Sequence, residues 1–154
     1  MSETIMTASS ATLSRPVVIS LRPRFADAIL SGEKTVELRR HRMAAPLGTL
    51  LILYSSAPVM AVVGTAVLAD RHTDRPTALW NRHRLHMSLT RAEFRDYLTG
   101  TDTGTALSLR DVVRLPTPFS LGHLRQEGAF QPPQSFRYLS SDDPEVLHHL
   151  FTAN

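Results

Sequence analysis

Apolar and β-branched residues come in short runs along the chain, separated by prolines, glycines and polar clusters. The first run, "VVISL" at 17–21, has the length and composition of a buried strand. In the following "RPRFADAILSGEK" the period changes. Phe25 and Ile29, and Ala26 and Leu30, repeat at i, i+4; Pro23 suits a first helical turn, and Gly32 can close the helix in the left-handed conformation. "KTVELRRH" alternates polar and apolar positions and predicts a strand, as do "TLLILYSSAP" (49–58) and "VMAVVGTAVLAD" (59–70). Gly64 inside the last of these marks a bulge or a close backbone approach. The polar, basic stretch "RHTDRPTALWNRHRLHM" (71–87) predicts a short helix around Ala78–Leu79–Trp80. "SLTRAEFRDYLTG" predicts another, with Thr90 and Glu93 in a capping-box pattern and Gly100 at its end. "TALSLRDVVRL" (105–115) predicts one strand, or two broken near Asp111. A helical turn in "SLGHLRQEG", a last strand in "SFRYL" (135–139) and a C-terminal helix in "DDPEVLHHLF", with Pro144 in its first turn, complete the pattern.

About six strands with one early helix and short peripheral helices predict an α+β fold built as a small mixed β-barrel. A doubly wound sheet needs regular strand–helix alternation, which fails after residue 43. The 154 residues suit one domain, so 16–154 read as a single domain and the small, polar residues 1–15 as a disordered tail. No run approaches the roughly 18 apolar residues of a membrane span. The N-terminus lacks the basic-then-apolar order of a signal peptide. There is no cysteine, which excludes disulfides and thiolate metal sites and fits an expected cytoplasmic location.

Charge adds a partner class. Seventeen basic residues against fourteen acidic ones give +3, and every basic residue but Lys34 is an arginine. Guanidinium bonds phosphate in a fork and stacks on bases, so RNA or a nucleotide-like ligand is the expected partner. Arginine-rich usage also follows from a GC-rich genome.

The lone lysine sits in "GEKTVELRR" (32–40). Period two puts Thr35, Glu37 and Arg39 on one face and Val36 and Leu38 on the other. With the apolar face on the core, Glu37 and Arg39 share the open face, and Lys34 falls at the loop–strand junction where the period does not yet hold. The same charges also read as a solvated edge strand. Arg22 at the mouth of the first helix can meet anions beside free backbone N–H groups. Arg40 and Arg42 add charge, and Tyr54, Ser55 and Ser56 close the third strand; Tyr54 reads equally as half-buried core. The segment 71–91 carries five arginines, three histidines and the only tryptophan, Trp80. That is either a single-stranded nucleic-acid surface or a loop anchored by Trp80. The pairs His83/His86 and His148/His149 have no acidic or cysteine partner at zinc-site spacing and read as surface histidines. No metal or cofactor is expected. G-x-S-x-G and the phosphate-binding P-loop are both missing.

"ISLRPRFADAILSGEKTVELRRHR" (19–42) resembles the opening of ASCH domains, a branch of the PUA-like superfamily. Their signature, G-x-K-x-x-E-x-R, is matched by Gly32, Lys34, Glu37 and Arg39. "LLILYSSAPVMAVVGTAVL" is similar to the next two strands and "PPQSFRYL" to the closing one, so the resemblance spans about 17–140. It implies a PUA-like barrel with a cleft beside the first helix that binds RNA or modified nucleobases, with a role near translation or transcription. Some ASCH proteins resemble enzymes, one group ribonuclease-like, another hydrolysing the acetyl amide of acetylated cytidine with a lysine, a threonine and a glutamate. Lys34 matches that lysine. Glu37 stands where the threonine is expected, and Thr35 would face away from Lys34.

The leading expectation is RNA or nucleotide binding through Arg22, Lys34, Glu37, Arg39, Arg40, Arg42, Tyr54, Ser55, Ser56 and Trp80. The alternatives are a hydrolase, with Lys34 as base and Glu37 as its partner, and a small-molecule or protein-interaction domain. The oligomeric state is open.

Overall fold

The computed structural model describes residues 15–150; the predicted tail, apart from Arg15, and the last four residues lie outside the described residues. Six strands form one mixed sheet: β1 (Val17–Leu21), β2 (Val36–Arg39), β3 (Leu50–Ser55), β4 (Ala61–Asp74), β5 (Gly104–Ser120) and β6 (Phe136–Tyr138). Their order is β2-β5-β4-β3-β1-β6. β1 and β3 run parallel, and the remaining pairs are antiparallel. The parallel pair follows from the connection: after β1 the chain passes through α1 (Pro23–Ser31) and lays β2 at the far edge before returning. The sheet is a half-barrel with β2 and β6 as its edges, and with its short helices the fold is α+β.

α1 forms where its signals predict. Pro23 opens it, and Gly32 at φ 87° closes it by donating its N–H to the Ile29 carbonyl. Ala26 and Ile29 of this helix pack on one face of the sheet with Val17, Ile19, Leu21, Leu51, Leu53, Leu68 and Leu107. The other face is covered in two places. Val18, Ile52, Tyr54 and Val62 meet Leu121 and Leu124 of α4 (Leu121–Glu127), Phe130, and Leu147 of α5 (Glu145–His148). Val36, Leu38 and Ala106 lie beneath Leu79 of α2 (Pro76–His83), Met87, and Phe94 of α3 (Arg91–Tyr97). The capping box at Thr90 and Glu93 forms as predicted.

Gly64 is a close approach: a Cβ there would lie 2.5 Å from the Val113 carbonyl oxygen and 2.6 Å from a Leu30 methyl. Two strands outrun their predicted ends. β4 continues through the polar stretch to Asp74, because residues 70–74 pair with β5 residues 104–108. β5 is one strand, and the suspected break at Asp111 is a positive-φ residue within it, at 50°. Its Pro116 and Pro118 fall beyond the stretch that β2 covers and within a register shift of β4, where no ladder N–H is required of them. Among the described residues no helix is long and apolar enough to cross a membrane.

Candidate functional site

Three charged side chains meet where α1 hands over to β2. Lys34 precedes the strand, at the predicted junction. Its ammonium donates to the Met87 carbonyl, lies 3.5 Å from Glu37 Oε1 and sits 4.8 Å from the centre of the Phe25 ring. Glu37 Oε2 in turn pairs with Arg39 Nη2 at 2.9 Å. Arg39 spreads its fork further: Nη2 donates to the Ser20 carbonyl at 2.7 Å and Nη1 to the Ser135 hydroxyl at 3.1 Å. Its Nε is buried without a partner among the described residues.

The expected open face of β2 is enclosed. Lys34 is 1% exposed, and Glu37 and Arg39 are each 7% exposed. β2 is an edge strand, but all four of its residues are buried, so the solvated-edge alternative fails. Ser20 and Ser135 enclose the Arg39 end, and the 84–90 segment encloses the Lys34 end. The backbone N–H groups of Thr35 and Val36 both donate to the His86 carbonyl at 3.0 Å, and the next residue, Met87, receives Lys34. Arg24 of α1 holds the same segment from the other side, bonding the Ser88 carbonyl at 3.0 Å and forking onto Glu93 at 2.6 and 3.0 Å. Burial lowers the pKa of Lys34, with the Glu37 carboxylate opposing the shift. A compact ammonium suits this hole, where a guanidinium would need more room. A carboxylate held between two cations is stable in a dry setting only as a complete set, since removing one partner strands a buried charge.

The other candidate residues scatter. Arg22 is exposed at the start of α1, two positions after the carbonyl that Arg39 holds. Arg40 points away from Arg39 and reaches the Thr99 carbonyl at 3.3 Å; Arg42 is exposed. Tyr54 is core on the opposite face of the sheet, 5.8 Å from the Phe130 ring, and burial raises its pKa. Ser55 is buried with a hydroxyl that has no partner among the described residues, and Ser56 uses its backbone N–H on the Leu21 carbonyl. Trp80 packs on Phe94 at 5.2 Å, with the Arg91 guanidinium 5.7 Å from its ring, and so anchors the insertion. Thr35 is exposed while Lys34 is buried, so the two are not assembled as a nucleophile and base. His83 is not a surface histidine: it is buried and bonded to His72 at 2.9 Å.

Five participants were missed by sequence reasoning. Ser20, Met87 and Ser135 contribute to the cluster through a backbone carbonyl or a lone hydroxyl, which no local pattern signals, and Phe25 through its ring. Tyr97 is the fifth. It is 39% exposed, and the charges of Glu37 and Arg39 both act on it; burial of the ring raises its pKa and Arg39 opposes that. A cavity of about 650 Å³ lies beside α1, lined by Arg24, Asp27, Ser31, Ser88, Thr90 and Arg114 among others. None of Lys34, Glu37 or Arg39 lines it.

The ASCH domain family model matches residues 19–110. A protein of Zymomonas mobilis subsp. mobilis called an ASCH domain-containing ribonuclease is 38% identical over 134 residues, covering 86% of this chain and 90% of that protein. A crystal structure of ASCH from Zymomonas mobilis superposes with a TM-score of 0.80 at 37% identity, covering 90% of this chain and 94% of that one. A hypothetical protein from Leishmania major, 15% identical with a TM-score of 0.55 over 92% of this chain and 96% of its own, shares the fold alone.

Proposed function

The chain belongs to the ASCH domain family, and from that premise we propose that it binds single-stranded RNA on the surface formed where the 84–90 segment covers the signature strand. One observation carries this reading. The two basic regions, far apart in sequence, are joined by the hydrogen bonds from Thr35 and Val36 to His86 and from Lys34 to Met87. Exposed Arg84 therefore stands on the segment that covers Lys34, exposed Arg82 just before it in the last turn of α2, and Arg22 is exposed at the start of α1. Guanidinium groups spaced along such a surface suit successive phosphates, and half-exposed Tyr97 offers a ring for a base. In this reading Lys34 is an anchor that builds the surface, since its ammonium is taken up by Met87 and Glu37.

A second reading adds cleavage of the bound strand. The relative named as a ribonuclease, similar over most of both chains, favours it. Strand cleavage needs proton-transfer groups within reach of the phosphate. Glu37 and half-exposed Tyr97 are the candidates, with Lys34 available only when the 86–87 segment lifts.

Titration of a labelled single-stranded RNA over a salt series tests the first reading. Affinity falls steeply with salt, and the Arg82→Glu/Arg84→Glu double variant binds more weakly with a shallower slope, by roughly one unit per lost phosphate contact. A flat salt response sinks nucleic-acid binding. The same RNA resolved on a gel, with and without chelator, tests the second: intact RNA under saturating protein leaves binding without cleavage.

A further inference from the structure

Asp74, His72 and His83 form a hydrogen-bonded row linking β4 to α2. Asp74 Oδ2 lies 3.1 Å from His72 Nε2, and His72 Nδ1 lies 2.9 Å from His83 Nε2. The two rings are 5.1 Å apart at 59°. Both ring nitrogens of His72 are engaged, so neither is free to move a proton to or from a substrate. Among the described residues no group of this kind is set to hold a metal ion. The row joins elements instead. His83 stands one turn after Leu79, and both are buried against the sheet.

The proton count of the row is fixed by its geometry. With His72 neutral, its Nε2–H donates to Asp74 and its Nδ1 accepts from His83. With His72 protonated, both of its nitrogens donate and His83 accepts. A second proton, on His83, sets N–H against N–H across 2.9 Å. The row therefore holds one extra proton and is pushed apart by two.

We propose that this row is a proton-operated latch that seats the 84–90 segment on Lys34. The path is short. The His83 carbonyl accepts from the His86 N–H at 2.8 Å, the His86 carbonyl holds Thr35 and Val36, and Met87 holds Lys34. When the second proton drives the end of α2 from the sheet, those contacts are the first in line to open.

The charges around the latch favour opening in acid. β4 supplies Asp70 and Asp74, and α2 with its flanks supplies Arg75, Arg82 and His86. The β5 residues in register here, Thr105 to Leu107, carry no charge, and β2 presents Val36 and Leu38 to this layer. Burial holds the His83 imidazole below the usual histidine range, His72, Arg82 and His86 add to the shift, and Asp70 opposes it. The unfolded or opened chain then binds the proton more readily. The latch is fully effective above a pH of about 6.5 and is lost as pH falls through the lower folded-state value.

NMR on the full chain without RNA tests this and does not depend on the RNA reading. The His83 ring and the backbone amides of Thr35 and Val36 should titrate with one midpoint below 6.5. Hydrogen exchange of those two amides, corrected for intrinsic rates, should accelerate by up to about tenfold per pH unit through that window, with the Ile52 amide of the core unaffected. A His83→Gln variant should lose the step. The latch is overturned if Thr35 and Val36 stay protected while His83 titrates, or if they respond identically in the variant. Should the variant not fold, the comparison of midpoints in the native chain decides alone.

Discussion

The guanidinium of Arg39 donates to the Ser20 carbonyl across 2.7 Å, tying an edge strand of the sheet to β1 beside the opposite edge. The ladder order leaves β2 and β6 as the two ends. Where barrel strands would pair backbone to backbone, one side chain spans the gap, steadied by Glu37 and Ser135.

This closure makes Arg39 sensitive to both length and shape. Arg39→Met leaves Glu37 and the Ser20 carbonyl short of a buried partner and should lower unfolding stability by about 3–5 kcal/mol. Arg39→Lys keeps the charge but cannot fork to Ser20, Ser135 and Glu37 together, and should cost about 1–3 kcal/mol. Urea unfolding of both variants checks the order; a near-neutral Arg39→Met would show that the side chain does not hold the barrel.

Lys34→Met separates the two opposing effects at that position. The variant leaves the Met87 carbonyl unpaired and Glu37 with Arg39 as its remaining cation, at a cost of about 1–3 kcal/mol, offset in part because no ammonium is buried. The pH dependence is the sharper readout. Burial lowers the folded-state pKa of Lys34 below its ordinary 10.5. Between those two values the unfolded chain holds more protons, so the lysine's contribution to stability grows as pH rises. The gap between native chain and variant should widen as pH rises through the lowered folded-state value toward 10.5, while the tyrosine contributions cancel. A constant gap would mean that Lys34 titrates in the folded protein as it does in the unfolded chain.

Glu93 should titrate far below an ordinary glutamate. The Arg24 fork, with the Thr90 N–H behind it, lowers its pKa from 4.5 to about 2. The clamp between α1 and α3 is then complete above pH 4.5 and lost as pH falls toward 2. Carboxyl NMR checks the midpoint, and in Arg24→Gln it should climb back toward the ordinary value. An unchanged midpoint in that variant would assign the shift to the helix cap instead.

Local signals read well where the chain organises itself locally. Pro23 and Gly32 bracket α1, Thr90 and Glu93 start α3, and Gly64 marks a close approach, all from neighbours within a few residues. The signature strand was also legible, but its surroundings were not. Periodicity assigns Glu37 and Arg39 to the polar face of a strand, and polar faces are usually wet. Whether that face is enclosed depends on Ser20 and Ser135 at Arg39 and on residues 84–90 at Lys34, none of which a strand period connects to residues 34–39. Tyr54 misled for the mirror-image reason: a ring beside two serines resembles a site, but alternation along β3 sends it to the face packed under Phe130. The end of β4 was missed because its polar residues are held by pairing with β5 rather than by apolar burial.

The seat of Lys34 has a consequence for any attempt to shorten the protein. The excursion between β4 and β5 looks like a decoration on the barrel, a long detour that a two-residue turn could replace. Yet the one carbonyl that receives the lysine lies inside it, as does the carbonyl that begins the strand. A trimmed barrel would keep every signature residue and lose the place where its lysine belongs. Such a fragment would still carry the signature, though its lysine would stand in solvent.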